Sequence, residues 1–493
     1  MATPTLPSGR MHRKPRTRVR SSVRPGEWGP DCFSNVIPVE NGCILRPLSP
    51  WPWNPPDFHR VMRSLYYGWW IVIAASCNLF VCAGIGFFSF PVFLKFIEAD
   101  SHWGRDALSN AGALAALAAG FATPAIGYAL DRYRAQIVMI PGAVLLSASF
   151  LLLSRSDSLV QMYALFVAMG IGMAATTGLP CQTLISRWFE EKRGRAMGAI
   201  TVAAGLGGMF WMPVTTRLIE ATGWRNAYWV LGTVIAAVSL PVIGLIIRSS
   251  PQSMGLAVEG RGNEARPAET LKSRAAGAEG AGPGCTTAEA MGTVGFWIIF
   301  CASFLGPFAA SGFGLHVVAF LSDLGLSSGG ASGVWSAVIG TSIGGTFLFG
   351  FLSERFQKRY LCSAAHFTRS LSLLFLVLFA LEKVPRVAAI SQFIILYGLA
   401  MGCMNVAGPL LLSETFGVKA FGKLMGLMGI PVTLGMALGQ FLSGWLFHLQ
   451  NNYHIAFSAF VLAYLLSGIS LIFVKPIFLL SGPSRLSDRT SNR

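Results

Sequence analysis

Gly68-Trp69-Trp70-Ile71 opens one long apolar stretch of the chain, and Gly295-Phe296-Trp297-Ile298 opens another 227 positions later. The register then holds, with Ala75-Ser76 matching Ala302-Ser303 and Phe93-Leu94 matching Phe320-Leu321. A second marker, Gly194-Arg195-Ala196-Met197-Gly198, returns as Gly422-Lys423-Leu424-Met425-Gly426 at an offset of 228. The chain therefore reads as a tandem duplication of an apolar unit. Two such halves about one pseudo-symmetry axis imply an alternating-access carrier with its site between them.

Composition agrees. Of 493 residues, 53% are hydrophobic and 12% charged, and the mean hydropathy is +0.56. A soluble domain carries about 25% charged residues, so this chain is integral to a bilayer. Apolar stretches near the ~20 residues needed to cross a membrane recur twelve times. They lie near 67–90, 107–129, 135–153, 159–186, 195–219, 225–247, 293–321, 330–352, 360–381, 387–413, 422–447 and 454–475. The reading is an all-α membrane protein: twelve transmembrane helices in two pseudo-symmetric six-helix bundles, 67–247 and 293–475.

The net charge of +16 follows topology, not nucleic acid. With both termini in the cytoplasm, the short inner loops hold eleven Lys or Arg and the outer loops seven; the N-terminal tail, the 248–290 loop and the C-terminal tail add ten, five and four inside. This is the positive-inside pattern. Residues 1–66 are rich in Pro and Arg without helical periodicity and read as a disordered basic tail. Met62, just before the Gly-Trp-Trp signature, is an alternative start to Met1. Residues 248–292 read as a flexible cytoplasmic linker, and 476–493 as a short C-terminal cytoplasmic tail. The nine Cys show no CxxC pair or ligand-like spacing, so neither a disulfide framework nor a metal site is expected. No cleavable signal peptide is evident. A bacterial inner membrane is the default location.

Glycine is frequent, at 55 copies, and small residues let helices in lipid approach closely. Gly205, Gly207 and Gly208 on helix 5, and Gly340, Gly344 and Gly345 on helix 8, are expected at tight helix contacts. Pro124, Pro180, Pro213, Pro409 and Pro431 are expected to kink their helices, Pro180 and Pro409 in repeat-equivalent places. Between helices 2 and 3 the chain reads Gly127-Tyr128-Ala129-Leu130-Asp131-Arg132, and between helices 8 and 9 Gly350-Phe351-Leu352-Ser353-Glu354-Arg355. Each sets a glycine, an acid four residues on, then an arginine at a helix end. The acid is placed to pair with a basic group or helix N-terminus of the neighbouring bundle. Gly127, Asp131, Arg132, Gly350, Glu354 and Arg355 are thus a candidate gating latch; the alternative is topogenic loop charge alone.

This loop resembles the conserved loop motif of the major facilitator superfamily. Trp188-Phe189-Glu190-Glu191-Lys192-Arg193-Gly194 leading into helix 5, and Tyr67-Gly68-Trp69-Trp70 opening helix 1, resemble the monocarboxylate transporter and oxalate/formate antiporter branch. The resemblance spans roughly residues 66–476. It implies helices 1, 4, 7 and 10 around a central cavity, helix 9 at the periphery, and carboxylate substrates moved by proton symport or anion exchange. The chain departs from the pattern in one respect. Members with anionic substrates often hold a cation in helix 8, 11 or 1. Here helix 8 reads Val338-Ile339-Gly340-Thr341-Ser342-Ile343-Gly344, helix 11 has only Lys423 at its start, and helix 1 has none before Lys95.

A charge at the bilayer centre costs about 2.5–3.5 kcal/mol on insertion scales, so intramembrane polar residues are few and informative. Asn78 lies about 15 Å along helix 1 at ~1.5 Å per residue, near the midplane, as does Asn405 on helix 10, whose repeat partner is Thr177. These are candidate substrate contacts, the alternative being interhelical hydrogen bonds. His316 on helix 7, repeat partner of Ser89, is a candidate substrate contact and, by elimination of intramembrane Asp and Glu, the proton carrier. Arg369, nine residues into helix 9 with His366 one turn earlier, is a candidate counter-charge, unless it snorkels to the surface. Gln182 and Gln440 lie near helix ends. Trp211, Phe308, Phe313 and Trp335 are candidate apolar walls.

The resulting reading is a secondary active transporter of a small organic solute, with a monocarboxylate as the class the resemblance favours and a proton as the candidate coupling ion. It uses no cofactor; its partners are the solute and the bilayer, not nucleic acid, and the sequence does not fix an oligomeric state. An exporter of neutral or amphipathic compounds is the rival within transport; a non-transporting membrane receptor is the rival outside it. No nucleophile–base pair, metal cluster or phosphate loop suggests an enzyme.

Overall fold

The computed structural model describes residues 66–101, 103–254, 256, 285–381, 383–417 and 420–474, without the side chains of residues 253 and 405–407. The expected tails over 1–65 and 476–493, the middle of the linker, and the choice between Met1 and Met62 lie outside these residues. Among the described residues, twelve helices are long and apolar enough to cross a membrane. They are α1 (Gly68–Ser101), α2 (Arg105–Arg132), α3 (Ala135–Leu153), α4 (Leu159–Trp188), α5 (Arg193–Thr222), α6 (Trp224–Ile246), α7 (Val294–Asp323), α8 (Ser328–Arg355), α9 (Lys358–Ala380), α10 (Arg386–Met404, helical on to Phe416), α11 (Phe421–Gln450) and α12 (His454–Ile472). Helix satisfies every backbone polar group within its own segment, as a lipid environment demands. The described linker residues include a short turn, Pro251–Met254, and a one-turn helix, Thr287–Met291, opened by a Thr286/Glu289 capping box.

The duplication reappears in the packing. In the first half α1 packs on α5, α2 on α4 and α3 on α6; in the second α7 packs on α11, α8 on α10 and α9 on α12. Gly207 carries the first of these contacts: a Cβ there would collide with the Phe80 carbonyl of α1. Its repeat partner Gly435 would collide with the Phe304 carbonyl of α7. The two halves then meet along α2 against α11 and α5 against α8. Gly205 faces Ile343 across the second seam and Gly340 faces Met209, while Gly345 lies on the α10 backbone at Leu399. A side chain at Gly344 would meet open space.

The prolines do not act alike. α4 breaks at Thr177 (φ −103°, ψ −114°), between Leu159–Thr176 and Gly178–Trp188. Pro180 lacks the N–H that would bond the Thr176 carbonyl four residues back, and its ring crowds that carbonyl. α2, α5, α10 and α11 run unbroken through Pro124, Pro213, Pro409 and Pro431. The irregular turn of α10 comes earlier, as a π-helical segment at Phe393–Tyr397. α1 also outruns the sequence expectation: it relaxes through a π-turn at Gly84–Phe88, bends at Ser89 and continues to Ser101.

Candidate functional site

A cavity of about 1040 Å³ lies between the halves. On the face that carries the linker, a side chain added at Gly198 of α5, Gly350 of α8, or Gly422 or Gly426 of α11 would meet open space. At the opposite face the halves are joined by one charged cluster. Arg105, at the start of α2, bonds both carboxylate oxygens of Asp323 at the end of α7 (2.5 and 3.1 Å) and Glu98 of α1 at 2.7 Å. The guanidinium also donates to the Tyr453 hydroxyl at 2.9 Å and lies 4.2 Å above the Phe447 ring. Arg105 is 8% exposed. Tyr453 lies in the turn before α12, where burial raises its phenol pKa and keeps the hydroxyl protonated. The molecule is thus closed at the opposite face and open at the linker face.

His316 sits beneath this cluster, fully buried. Its Nε2 is 2.9 Å from Ser109 Oγ and its Nδ1 is 3.0 Å from the Tyr453 hydroxyl. The donors can be assigned. Arginine only donates, so Tyr453 accepts from Arg105 and gives its own proton to His316 Nδ1. Ser109 Oγ donates to the Arg105 carbonyl, so it accepts from His316 Nε2–H. The ring closes with a neutral histidine bridging α2 of one half to α7 and the Tyr453 turn of the other. His316 is not among the residues lining the cavity, although Gly314 and Leu315 are.

Asn78 is fully buried and likewise outside the cavity lining. Its Nδ2 donates to the Thr176 carbonyl at 2.7 Å, the acceptor that Pro180 leaves without its helical partner. Thr177, at the break itself, does line the cavity, with its hydroxyl donating to the Met173 carbonyl at 2.7 Å. Asn405 lies on α10, and its side chain is outside the described residues. Gln182 and Gln440 line the cavity; Gln440 Nε2 donates to Ser311 Oγ at 2.6 Å. Of the four aromatic candidates, Trp335 lines it, whereas Trp211, Phe308 and Phe313 do not.

Arg369 departs most from the expectation for a peripheral helix. It is 5% exposed and points inward from α9, its guanidinium carbon 5.2 Å from the Tyr397 ring centre and 5.3 Å from that of Tyr464. The two tyrosine hydroxyls are 3.1 Å apart. Arg369 and His366 both line the cavity. Among the described residues Arg369 has no ion-pair partner, and its Nε and His366 Nδ1 have no hydrogen-bond partner. Among the described residues no Asp or Glu lines the cavity, and Arg369 is its sole Lys or Arg. The cavity wall thus carries a cation on α9, a helix where the resemblance did not place one.

The gating-loop residues pair within their own halves in this state. Asp131 lies 3.6 Å from Arg187, which also donates to the Leu130 carbonyl at 2.7 Å. Arg132 donates to the Tyr128 hydroxyl at 3.1 Å, and Gly127 packs near Leu179. In the second half Arg355 lies 4.8 Å over the Phe351 ring, and neighbouring Lys358 pairs with Glu414 at 3.3 Å. Glu354 and Gly350 lie at the same open rim.

The profile of the Major Facilitator Superfamily matches residues 77–395 and 345–489. This chain belongs to that superfamily. It is therefore a multi-pass membrane transporter and not an enzyme. Within the superfamily it is 26% identical over 377 residues to the uncharacterized MFS-type transporter YcxA of Bacillus subtilis, covering 74% of this chain and 85% of that one. It is 24% identical over 375 residues to the oxalate:formate antiporter of Oxalobacter formigenes (75% and 81% covered), and 24% identical over 416 residues to monocarboxylate transporter 13 of Bos taurus (84% and 90%). Its fold matches the crystal structure of a D-xylose–proton symporter at a TM-score of 0.64 and 15% identity, over 84% of this chain and 99% of that one.

Proposed function

We propose that the protein carries a small organic anion, a monocarboxylate, by rocking its two halves about the central cavity, with Arg369 as the counter-charge. The observation that carries this reading is the buried Arg369 guanidinium, unpaired among the described residues, at the wall of a cavity lined by no acid. A cation desolvated without a partner is costly, and a bound carboxylate removes that cost through charge-assisted hydrogen bonds. Relatives named as a monocarboxylate transporter and an oxalate:formate antiporter support the class. Thr177, which lines the cavity, and Asn405 of α10 are assigned the remaining polar contacts. His316 is the proton carrier in this proposal, coupled to transport through the opposite-face latch, and Asn78 acts by holding the α4 break. The linker face is cytoplasmic, as the excess of Lys and Arg there supports.

The test is counterflow of labelled carboxylates in proteoliposomes, for the wild type and Arg369→Gln. The expected result is saturable exchange that falls at least tenfold in the variant, with Arg369→Lys in between. Exchange unaffected by Arg369→Gln overturns the anion reading.

A further inference from the structure

We infer that the Arg369 site is built for an amphipathic carboxylate, one with an aromatic or extended aliphatic body, and not for a one- to three-carbon acid. The inference rests on the anion reading above and specifies the anion. The cavity offers about 1040 Å³, at the upper end of sites that enclose drug-sized ligands, roughly 300–1,000 Å³. A short acid bonded to Arg369 would leave most of its wall facing water.

That wall is apolar and of two kinds. One part is stiff. Trp335 and Tyr397 line the cavity with ring centres 6.0 Å apart, and behind them Phe313 packs at 6.0 Å on Trp335 and 5.4 Å on Tyr397. Tyr397 also flanks the Arg369 guanidinium, so one aromatic slab holds the cation and presents a face beside it. The other part is pliant: seven methionines line the cavity, among them Met173, Met401, Met428 and Met436. Unbranched, polarizable methionine moulds to apolar shapes and makes favourable contacts with aromatic rings. His366, wedged against Gly306 one turn from Arg369 with an unpartnered ring nitrogen, adds a second polar atom at the same end. Arg369 and His366 sit together on one turn of α9, and most of the remaining cavity wall is apolar. This is the chemistry of an amphipathic anion: a carboxylate fixed at Arg369 and a hydrocarbon body along the Trp335/Tyr397 slab and the methionines.

The experiment is ligand binding to the full-length protein in nanodiscs, by calorimetry, across acetate, butyrate, hexanoate, octanoate and 4-phenylbutyrate, with 4-phenylbutyramide as the uncharged match. Burying a methylene is worth about 0.8 kcal/mol, so affinity should rise about fourfold per added methylene and 4-phenylbutyrate should bind at least a hundredfold tighter than acetate. The amide should bind at least tenfold more weakly than its acid. Ala310→Phe, which narrows the cavity, should weaken octanoate and 4-phenylbutyrate while sparing butyrate. A flat or falling series in which acids still outbind the amide, and still depend on Arg369, overturns this inference and leaves the anion reading standing. Equal binding of acid and amide overturns the anion reading, and this inference with it. The acid–amide contrast is made on the wild-type protein, so it stands even where an Arg369 variant does not fold.

Discussion

Arg105 on α2 and Asp323 at the end of α7 form a two-pronged ion pair that ties one half of the molecule to the other at the face opposite the linker. The arginine is buried, but the Asp323 side chain keeps 41% of its exposure. Solvent screening therefore holds the pair's contribution to about 1–2 kcal/mol, well below that of a fully buried pair. Since 1.4 kcal/mol is a factor of about ten, Asp323→Asn should shift the balance toward an open opposite face roughly tenfold. Spin labels at Arg155→Cys and Lys383→Cys, on loops of the two halves at that face, would report a longer, broader distance distribution. An unchanged distribution would mean that packing alone holds the face shut.

His316 gives this latch a proton dependence whose sign follows from its hydrogen bonds. In the closed ring Tyr453 donates to Nδ1, which must then carry no proton. Protonating Nδ1 removes that acceptor and sets a second cation near Arg105, so acid should open the opposite face. The other charged groups around it are Glu98 on α1, Arg105 on α2, Asp323 on α7, and the His448–Asp106 pair between α11 and α2 at 3.8 Å. The scan runs from pH 7.5 to 5.5. Over that range the wild type should open progressively and His316→Gln should not respond. His448→Gln should keep the response, because His448 makes no contact with the His316 ring of hydrogen bonds. A response retained in His316→Gln would assign the proton elsewhere.

Asn78 and Pro180 form a compensating pair. The proline withholds a hydrogen bond from the Thr176 carbonyl and the asparagine supplies one from another helix. Asn78→Ala leaves the buried carbonyl with only the weak Cys181 thiol donor at 3.6 Å, which should cost about 1 kcal/mol or somewhat more and appear as a lower melting temperature in detergent. Pro180→Ala restores a backbone N–H to the same carbonyl, so the double variant should regain most of the loss. Additive losses in the double-mutant cycle would show that the asparagine acts some other way.

The spans and the duplication were legible because both lie along the chain. Hydropathy marks each helix, and the repeated Gly-x-Trp-Ile and Gly-x-x-Met-Gly markers fix the offset. Contacts between helices were not legible by the same means. Nothing local in the sequence reveals that Arg105 and Asp323, 218 positions apart, share a bond. Arg369 read as a residue of a peripheral helix; the gap between Tyr397 and Tyr464 that admits it to the cavity belongs to α10 and α12. Asn78 and His316 were visible as polar residues at depth, but spacing along a helix does not say which neighbour a side chain meets. The sequence did hold one signal for Asn78: a proline four residues beyond Thr176 leaves a carbonyl seeking a donor.

The glycines of the repeated marker and those of the helix seams should respond oppositely to alanine. Gly207 and Gly435 lie against the backbone of α1 and α7 in the present state. A methyl group there must push helices apart, at about 1–3 kcal/mol for overpacking, so Gly207→Ala and Gly435→Ala should lower stability and yield of folded protein. Gly198 and Gly426, themselves repeat partners near the linker-face starts of α5 and α11, face open space. Alanine there gains up to about 1 kcal/mol of helix propensity and clashes with nothing in this state. When the halves rock to close the linker face, the same positions approach the opposing bundle, where small residues allow close packing. Gly198→Ala and Gly426→Ala should therefore keep or raise thermal stability yet slow counterflow, with the labelled loops of the opposite face held at their short distance. Full transport activity in both variants would show that the linker face closes through other residues.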